Sequence, residues 1–259
     1  MKSLVLLGAS VALSLLVSPA HADRRAYGVT YEAVTAPRGE LDVESWTTLA
    51  PGGEIPGGPA SRGVRQMIEL EYGITDHWDL ALYNMLDGIS GGDTASGYAG
   101  FKLETRWRPA DRGAWAIDPV LYLEFQQLFR GDARQKYEAK LIVAKDLGDL
   151  NLAANVAVEE ERTTEPAWNT EVELAAGASY ALTPAWTIGA EWFGKAEKEE
   201  ANGMSEIELA SWAGPAVSWA GGGGGGPLAG LWVTLAGGAR VTGGGDDYYA
   251  RAIIGLQFH

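Results

Sequence analysis

Gln66-Met-Ile-Glu-Leu-Glu-Tyr-Gly-Ile-Thr-Asp-His-Trp-Asp-Leu-Ala-Leu-Tyr-Asn-Met-Leu86 reads as a strand, a tight turn and a second strand. In the first arm Ile68, Leu70, Tyr72 and Ile74 point one way and Met67, Glu69 and Glu71 the other, as a period of two requires. The second arm sets Trp78, Leu80, Leu82 and Leu86 against Asp79, Ala81 and Tyr83, and Thr75-Asp76-His77 is short and hydrophilic enough for the reversal. The aromatics decide the class. Tyr72 and Trp78 lie on the apolar faces either side of the turn, where a membrane-spanning barrel carries its interfacial girdle, and carboxylates on the other face suit a wet lumen.

The same unit recurs along the chain. Leu41, Val43, Ser45, Thr47 and Leu49 alternate with Asp42, Glu44, Trp46 and Thr48 in a first strand. Trp107 and Trp115 flank a turn at 109–113, with Trp115 placed on the following strand; Tyr180 and Trp186 flank 183–185, and Trp219 precedes a run of glycines. The count is about 12 strands in one antiparallel up-and-down barrel, with long connections at 51–63, 88–97, 127–135, 160–167, 196–205 and 243–247 alternating strictly with short turns. Long loops are expected outside the cell and short turns in the periplasm. A soluble β-sandwich also alternates, but its connections need not sort by length nor its aromatics gather at one set of turns. Near Pro215 and Trp232 the alternation admits either face as the outward one.

Residues 1–22 have the form of an export signal: Lys2, an apolar run from Leu4 to Val17, and a small-x-small pattern ending at Ala22. The run is shorter than the roughly 20 residues of a spanning helix. Residues 23–39 form a lead-in, in which Tyr27-Gly-Val-Thr-Tyr31 fits a short strand, a periplasmic segment or a stretch tucked into the lumen, and residues 40–259 are the barrel. Zero cysteine in 259 residues excludes a disulfide framework, thiol catalysis and cysteine metal sites. A net charge of −14 argues against nucleic acid as a partner. Mean hydropathy of −0.08 is what a barrel shows when half of each strand faces water.

The C-terminal Arg251-Ala-Ile-Ile-Gly-Leu-Gln-Phe258-His259 resembles the closing strand of Gram-negative outer-membrane barrels, which typically ends in an aromatic; here Phe258 is penultimate. With the signal and the hairpin at 72–79, the chain is similar to uncharacterised outer-membrane barrels described as transporters or porin-like proteins. That resemblance implies an outer-membrane location, the barrel-assembly machinery as reader of Phe258, and outer-membrane lipid and lipopolysaccharide as surroundings. It implies little about a substrate.

Catalysis finds weak support. Of three histidines, His21 lies in the signal, His77 in a periplasmic turn and His259 at the terminus, so no base stands near an outer rim where a barrel lipid hydrolase would work. No cofactor or metal site is expected. The inward set is more informative: Glu69, Glu71, Lys102, Glu104, Arg106, Arg108, Glu124, Lys140, Glu171, Glu173, Glu191, Lys195 and Arg251 either line a narrow wet passage for small solutes or interlock across a plugged lumen. Acidic loops at 159–161, 197–200 and 246–247 offer carboxylates that would bridge to lipopolysaccharide through divalent cations, or are plain solvated loops. The glycine run at 221–226 lacks a following GK[ST] and reads as a flexible turn. The expected function is a passive outer-membrane channel, with a non-conducting structural or ligand-binding barrel as the alternative. Oligomeric state is not legible.

Overall fold

A computed structural model describes residues 25–50, 63–88, 97–129, 133–163, 168–201, 204–221, 228–243 and 247–258. The strands are β1 (Leu41–Ala50), β2 (Gly63–Thr75), β3 (Trp78–Gly88), β4 (Gly97–Trp107), β5 (Asp118–Leu128), β6 (Ala133–Leu147), β7 (Leu150–Thr163), β8 (Trp168–Ala181), β9 (Trp186–Ala201), β10 (Met204–Ala220), β11 (Leu231–Thr242) and β12 (Tyr248–Phe258). Each pairs antiparallel with its sequence neighbours, and β1 pairs with β12 to close the sheet. The seam runs from Leu41 opposite Phe258 to Leu49 opposite Ala250. Closure leaves no row of unpaired backbone groups at an edge, which lipid would not satisfy. No helix among the described residues is long and apolar enough to cross a membrane; this chain crosses with strands.

The outer wall follows the period of two. Leu70, Leu80, Leu103, Leu121, Leu141, Val156, Leu174, Ile188, Leu235 and Ile254 all stand exposed, from every part of the barrel. A continuous apolar belt of this kind far exceeds the patches a soluble monomer presents and is a lipid-facing surface. Tyr72, Trp78, Trp107, Tyr180 and Trp186 stand exposed at the rim with the short turns, and Trp219 lies beside Trp186 in register. Trp78 Nε1 donates to Thr105 Oγ1 at 2.8 Å, so its ring is amphipathic at this level. A second aromatic row at the opposite rim passes from Tyr98 and Phe101 through Phe129, Phe125 and Tyr137 to Trp168. Along β4 the two rows are separated by Tyr98 to Trp107, about 30 Å of strand; at a tilt of about 40° that is roughly 23 Å of height, close to the apolar band of outer-membrane barrels.

Several sequence expectations are corrected. Trp115 does not sit on a strand: β5 begins at Asp118, and Trp115 belongs to the connection before it, with its ring half exposed. Connections do not alternate strictly by length, because β9 continues to Ala201 and β10 begins at Met204, so most of the loop expected at 196–205 is ladder. Likewise β7 continues to Thr163. Strands that rise above the lipid face water on both sides, so their sequence turns polar on both faces while their backbone stays paired. Pro215 lies on β10 opposite Ala190 of β9, while pairing of β10 with β11 lapses between Ala213 and Ala216, as a residue without an N–H dictates. Trp232 is fully buried and faces inward. The export signal and most of the glycine run lie outside the described residues.

The interior is partly a packed core. Trp46, Met67, Tyr83, Met85, Leu128, Trp232 and Ile253 form one apolar cluster, and Phe193, Ala210, Trp212 and Tyr249 another.

Candidate functional site

The central feature of the lumen is the N-terminal segment. Residues 25–36 lie inside the barrel, which decides among the three readings of the lead-in. At its base Gly39 N donates to Gly73 O at 2.8 Å, and the segment passes so close that a Cβ on Gly73 would stand 1.9 Å from Pro37 O. From there Ala36 N donates to Asp79 Oδ2 at 3.0 Å and Thr35 Oγ1 to Asp76 O at 2.9 Å. Higher up, Tyr31 N donates to Asn155 Oδ1 at 2.7 Å and Asn155 Nδ2 returns a bond to Tyr31 O at 2.9 Å.

The turn at 28–30 wraps a single carboxylate. Gly28 N, Val29 N and Thr30 N donate to Glu191 at 3.0, 2.9 and 2.9 Å, and Tyr249 Oη adds a fourth bond at 3.0 Å. Consecutive N–H groups converging in this way form an anion nest, with the wall supplying the anion. Arg251 Nη1 donates to Gly28 O at 2.6 Å, and Tyr27 Oη reaches Asn151 Oδ1 at 3.0 Å. The wall is cut back to receive this segment. Gly177 faces the Tyr27 ring, where a Cβ would stand 2.5 Å from Cε1, and a Cβ on Gly28 would stand 2.5 Å from that of Ala236.

The remaining predicted lumen residues fall into linked groups. Arg106 is fully buried, bonded to Glu71 and 3.0 Å from Asp79 Oδ2, with Glu104 at 3.6 Å. Lys102 Nζ lies 3.2 Å from Glu104, 3.0 Å from Glu124 and 3.8 Å from the centre of the Tyr83 ring. Lys140 contacts Glu138 at 2.7 Å and sits over the Tyr31 and Tyr122 rings. Lys195 meets Glu171 at 3.3 Å, and Glu173 lines the cavity described below. Arg108 is the outlier: it lies past the end of β4 at the mouth, where it bonds Thr35 Oγ1 at 3.1 Å and Asp76 O at 2.6 Å.

Further charged side chains complete the interior. Asp42, Glu44, Arg65, Asp79, Asp87, Lys136, Glu138 and Glu159 are all buried, and their alternation was there to be extended. Trp46, Tyr83 and Tyr122 fall on the inward face by the same alternation, but an inward aromatic by itself gives no sign of a site. Among the described residues twelve carboxylates against five Lys or Arg are buried, so the interior has a strong acidic excess.

Above the segment lies a cavity of about 680 Å³ including its opening. Val29 and Tyr31 of the segment line it together with Trp46, Tyr83, Tyr122 and Phe193, and the charged side chains Lys102, Glu124, Glu138, Lys140, Glu173 and Arg251. The cavity is therefore aromatic as well as charged.

Other candidates hold less. His77 Nε2 lies 2.8 Å from Asp111 Oδ1, across two neighbouring turns, and this bond holds the exposed Asp111 carboxyl below its ordinary range. The pair is a solvated surface contact. Of the acidic stretches, Glu159 and Glu161 are on β7 and clamp Lys136 at 2.6 and 2.8 Å, so they are not a loop. Asp247 bonds Arg240.

A family model described as "Family of unknown function (DUF6662)" matches residues 128–258. No curated protein matches the sequence. Among solved structures, the COG4313 outer membrane channel from Pseudomonas putida F1 is similar at 11% identity and a TM-score of 0.66, over 88% of this chain and 98% of that one. The KdgM porin is similar at 10% identity and a TM-score of 0.55, covering 84% and 99%, and the NanC porin at 10% and 0.52, covering 85% and 99%. At such identities the likeness is one of fold: the closed 12-stranded barrel of this chain resembles the folds of outer-membrane channels and porins.

Proposed function

We propose that this chain, which belongs to the DUF6662 family of unknown function, is an outer-membrane channel for small solutes whose lumen is gated by its own residues 25–36. The observation that carries the reading is the shape of the wall behind that segment. The inward face of β7 to β11 presents Ala153, Ala157, Ala175, Gly177, Ser179, Gly189, Ala216 and Ala236, while β1 to β6 present mainly large or charged groups. Set among larger inward groups of the same strands, such as Asn155, Glu191, Phe193 and Trp212, these small positions leave a trough in which the segment lies. When the segment withdraws, that trough joins the cavity above to the periplasmic mouth. If the export signal is removed after Ala22, the segment has a free end close to Arg25 and can withdraw without breaking the barrel.

The acidic excess favours cations in transit, since a low-dielectric lumen makes like-charge entry costly. The KdgM porin is also known in complex with oligogalacturonate, a polyanion. The charge inside the present barrel argues for solutes of the other sign. One observation favours a second reading, a non-conducting barrel: the segment is bonded to walls on opposite sides of the lumen.

Planar-bilayer recordings separate the two readings. The full mature chain should show rare openings with cation preference, and deletion of residues 25–36 should make the openings frequent. A deletion variant that is correctly assembled yet silent would remove the channel reading and leave the second.

A further inference from the structure

Arg25 occupies a pocket made mostly by the barrel wall. Its Nε donates to Glu44 Oε2 at 3.3 Å, its Nη2 lies 3.6 Å from Glu69 Oε1, and its guanidinium carbon stands 4.6 Å from the centre of the Trp46 ring. Trp46 Nε1 donates to both carboxylates, at 2.8 and 2.9 Å, and so fixes them beside its own ring. Tyr83 packs edge-on against Trp46 with ring centroids 6.3 Å apart, which holds the indole in place. Two oriented carboxylates and an aromatic face are the means by which proteins recognise organic cations.

The occupant belongs to the displaceable segment, whereas Glu44, Glu69 and Trp46 belong to strands β1 and β2. The fit is also incomplete. Glu69 is fully buried with the Tyr83 hydroxyl as a hydrogen-bonding neighbour, while Arg25 Nη2 comes no closer to its Oε1 than 3.6 Å. A charge-assisted bond is strongest at about 2.7–2.9 Å, so a cation able to reach closer than 3.6 Å is favoured there.

Resting on the channel reading above, we propose that Glu44, Glu69 and Trp46 form a binding station for small organic cations with a guanidinium or primary ammonium head. In the closed barrel Arg25 fills it as a tethered surrogate. Movement of the segment vacates the station at the moment the path opens, and the solute takes the place of the side chain. A divalent metal is the competing occupant, since Glu71 brings a third carboxylate oxygen within 4.8 Å of those of Glu44 and Glu69; the indole face beside them offers a metal no ligand and favours an organic cation.

The test uses agmatine, which carries both head groups, and the full mature chain in detergent. Arg25→Ala removes the surrogate, and Arg25→Met, which keeps the packing on Trp46, serves if the alanine variant assembles poorly. Agmatine should raise the melting temperature of either variant saturably. It should act more weakly on wild type, where Arg25 competes. Adding Glu44→Gln and Glu69→Gln should weaken the apparent affinity by about tenfold or more, the cost of one charge-assisted bond. Equal responses with and without the two carboxylates, or saturation by Ca²⁺ but not by agmatine, would overturn the proposal. Binding needs no conductance: a barrel that binds agmatine but never conducts keeps this inference and loses the channel, and one that conducts without binding does the reverse.

Discussion

Glu191→Ala is the sharpest probe of the gate. The carboxylate accepts three consecutive backbone N–H groups of the segment and the Tyr249 hydroxyl, all within 3.0 Å. Hydrogen bonds to a charged acceptor contribute about 1.5–3 kcal/mol each, and they are not additive because the four donors share two oxygens. Crediting the whole nest with only the loss of one or two bonds gives about 3 kcal/mol. That raises the ratio of displaced to seated segment by roughly 100-fold. Two assays report it: open probability in planar bilayers, and trypsin cleavage after Arg25, which is buried and slow to cut while the segment is seated. Glu191→Gln, which keeps one acceptor, should fall between wild type and alanine. Retained heat-modifiable mobility on SDS gels shows that the barrel itself still closes. Wild-type cleavage rates and wild-type opening in a well-assembled Glu191→Ala protein would refute the reasoning.

Gly177→Ile places a Cβ about where the Tyr27 ring now lies and should expel Tyr27, raising trypsin access without touching a charge. Arg106→Met leaves Glu71, Asp79 and Glu104 buried without their shared cation and should destabilise the barrel by about 3–5 kcal/mol, read as a lower urea midpoint in micelles. Leu123→Lys on the lipid face near the middle of β5 should cost about 2–4 kcal/mol of membrane stability and lower the yield of folded barrel in vesicles; an unchanged yield would place that face outside the hydrocarbon.

The barrel was legible because its signal is local. Alternation along β2 and β3 assigns each side chain a face, and the turn at Asp76-His77 fixes their register, so Glu69, Glu71 and Leu82 could be placed without knowing any distant partner. Strand ends were not legible where lipid stops imposing an apolar face: Lys198 and Glu199 look like loop but pair with Ile207 and Glu206. The segment was the hardest to read. Nothing periodic marks residues 25–36, and their partners are Glu191, Asn155 and Arg251, more than a hundred residues away. Trp46 was placed on the inward face by alternation but was passed over as a site residue, because an indole in a charged lumen has meaning only beside Arg25.

How the segment is held bears on whether it is a gate or a strut. Beyond its anchor at Gly39, each described hydrogen bond between residues 25–36 and the wall has a side chain on at least one end; none joins backbone to backbone. The 12-stranded ladder is complete without it, from the β1–β12 seam round to β2. Asn155 lines the cavity, and on withdrawal the bonds to Asn155, Glu191 and Asp79 can be exchanged for bonds to water or solute entering the vacated space, which offsets part of their cost. A strut built by strand addition would have to break a row of ladder bonds in sequence. The segment needs only to exchange a limited set of polar contacts, those to Glu191, Asn151, Asn155, Asp79 and Arg251 among them, and small wall residues such as Gly177 and Ala236 leave room for it to move.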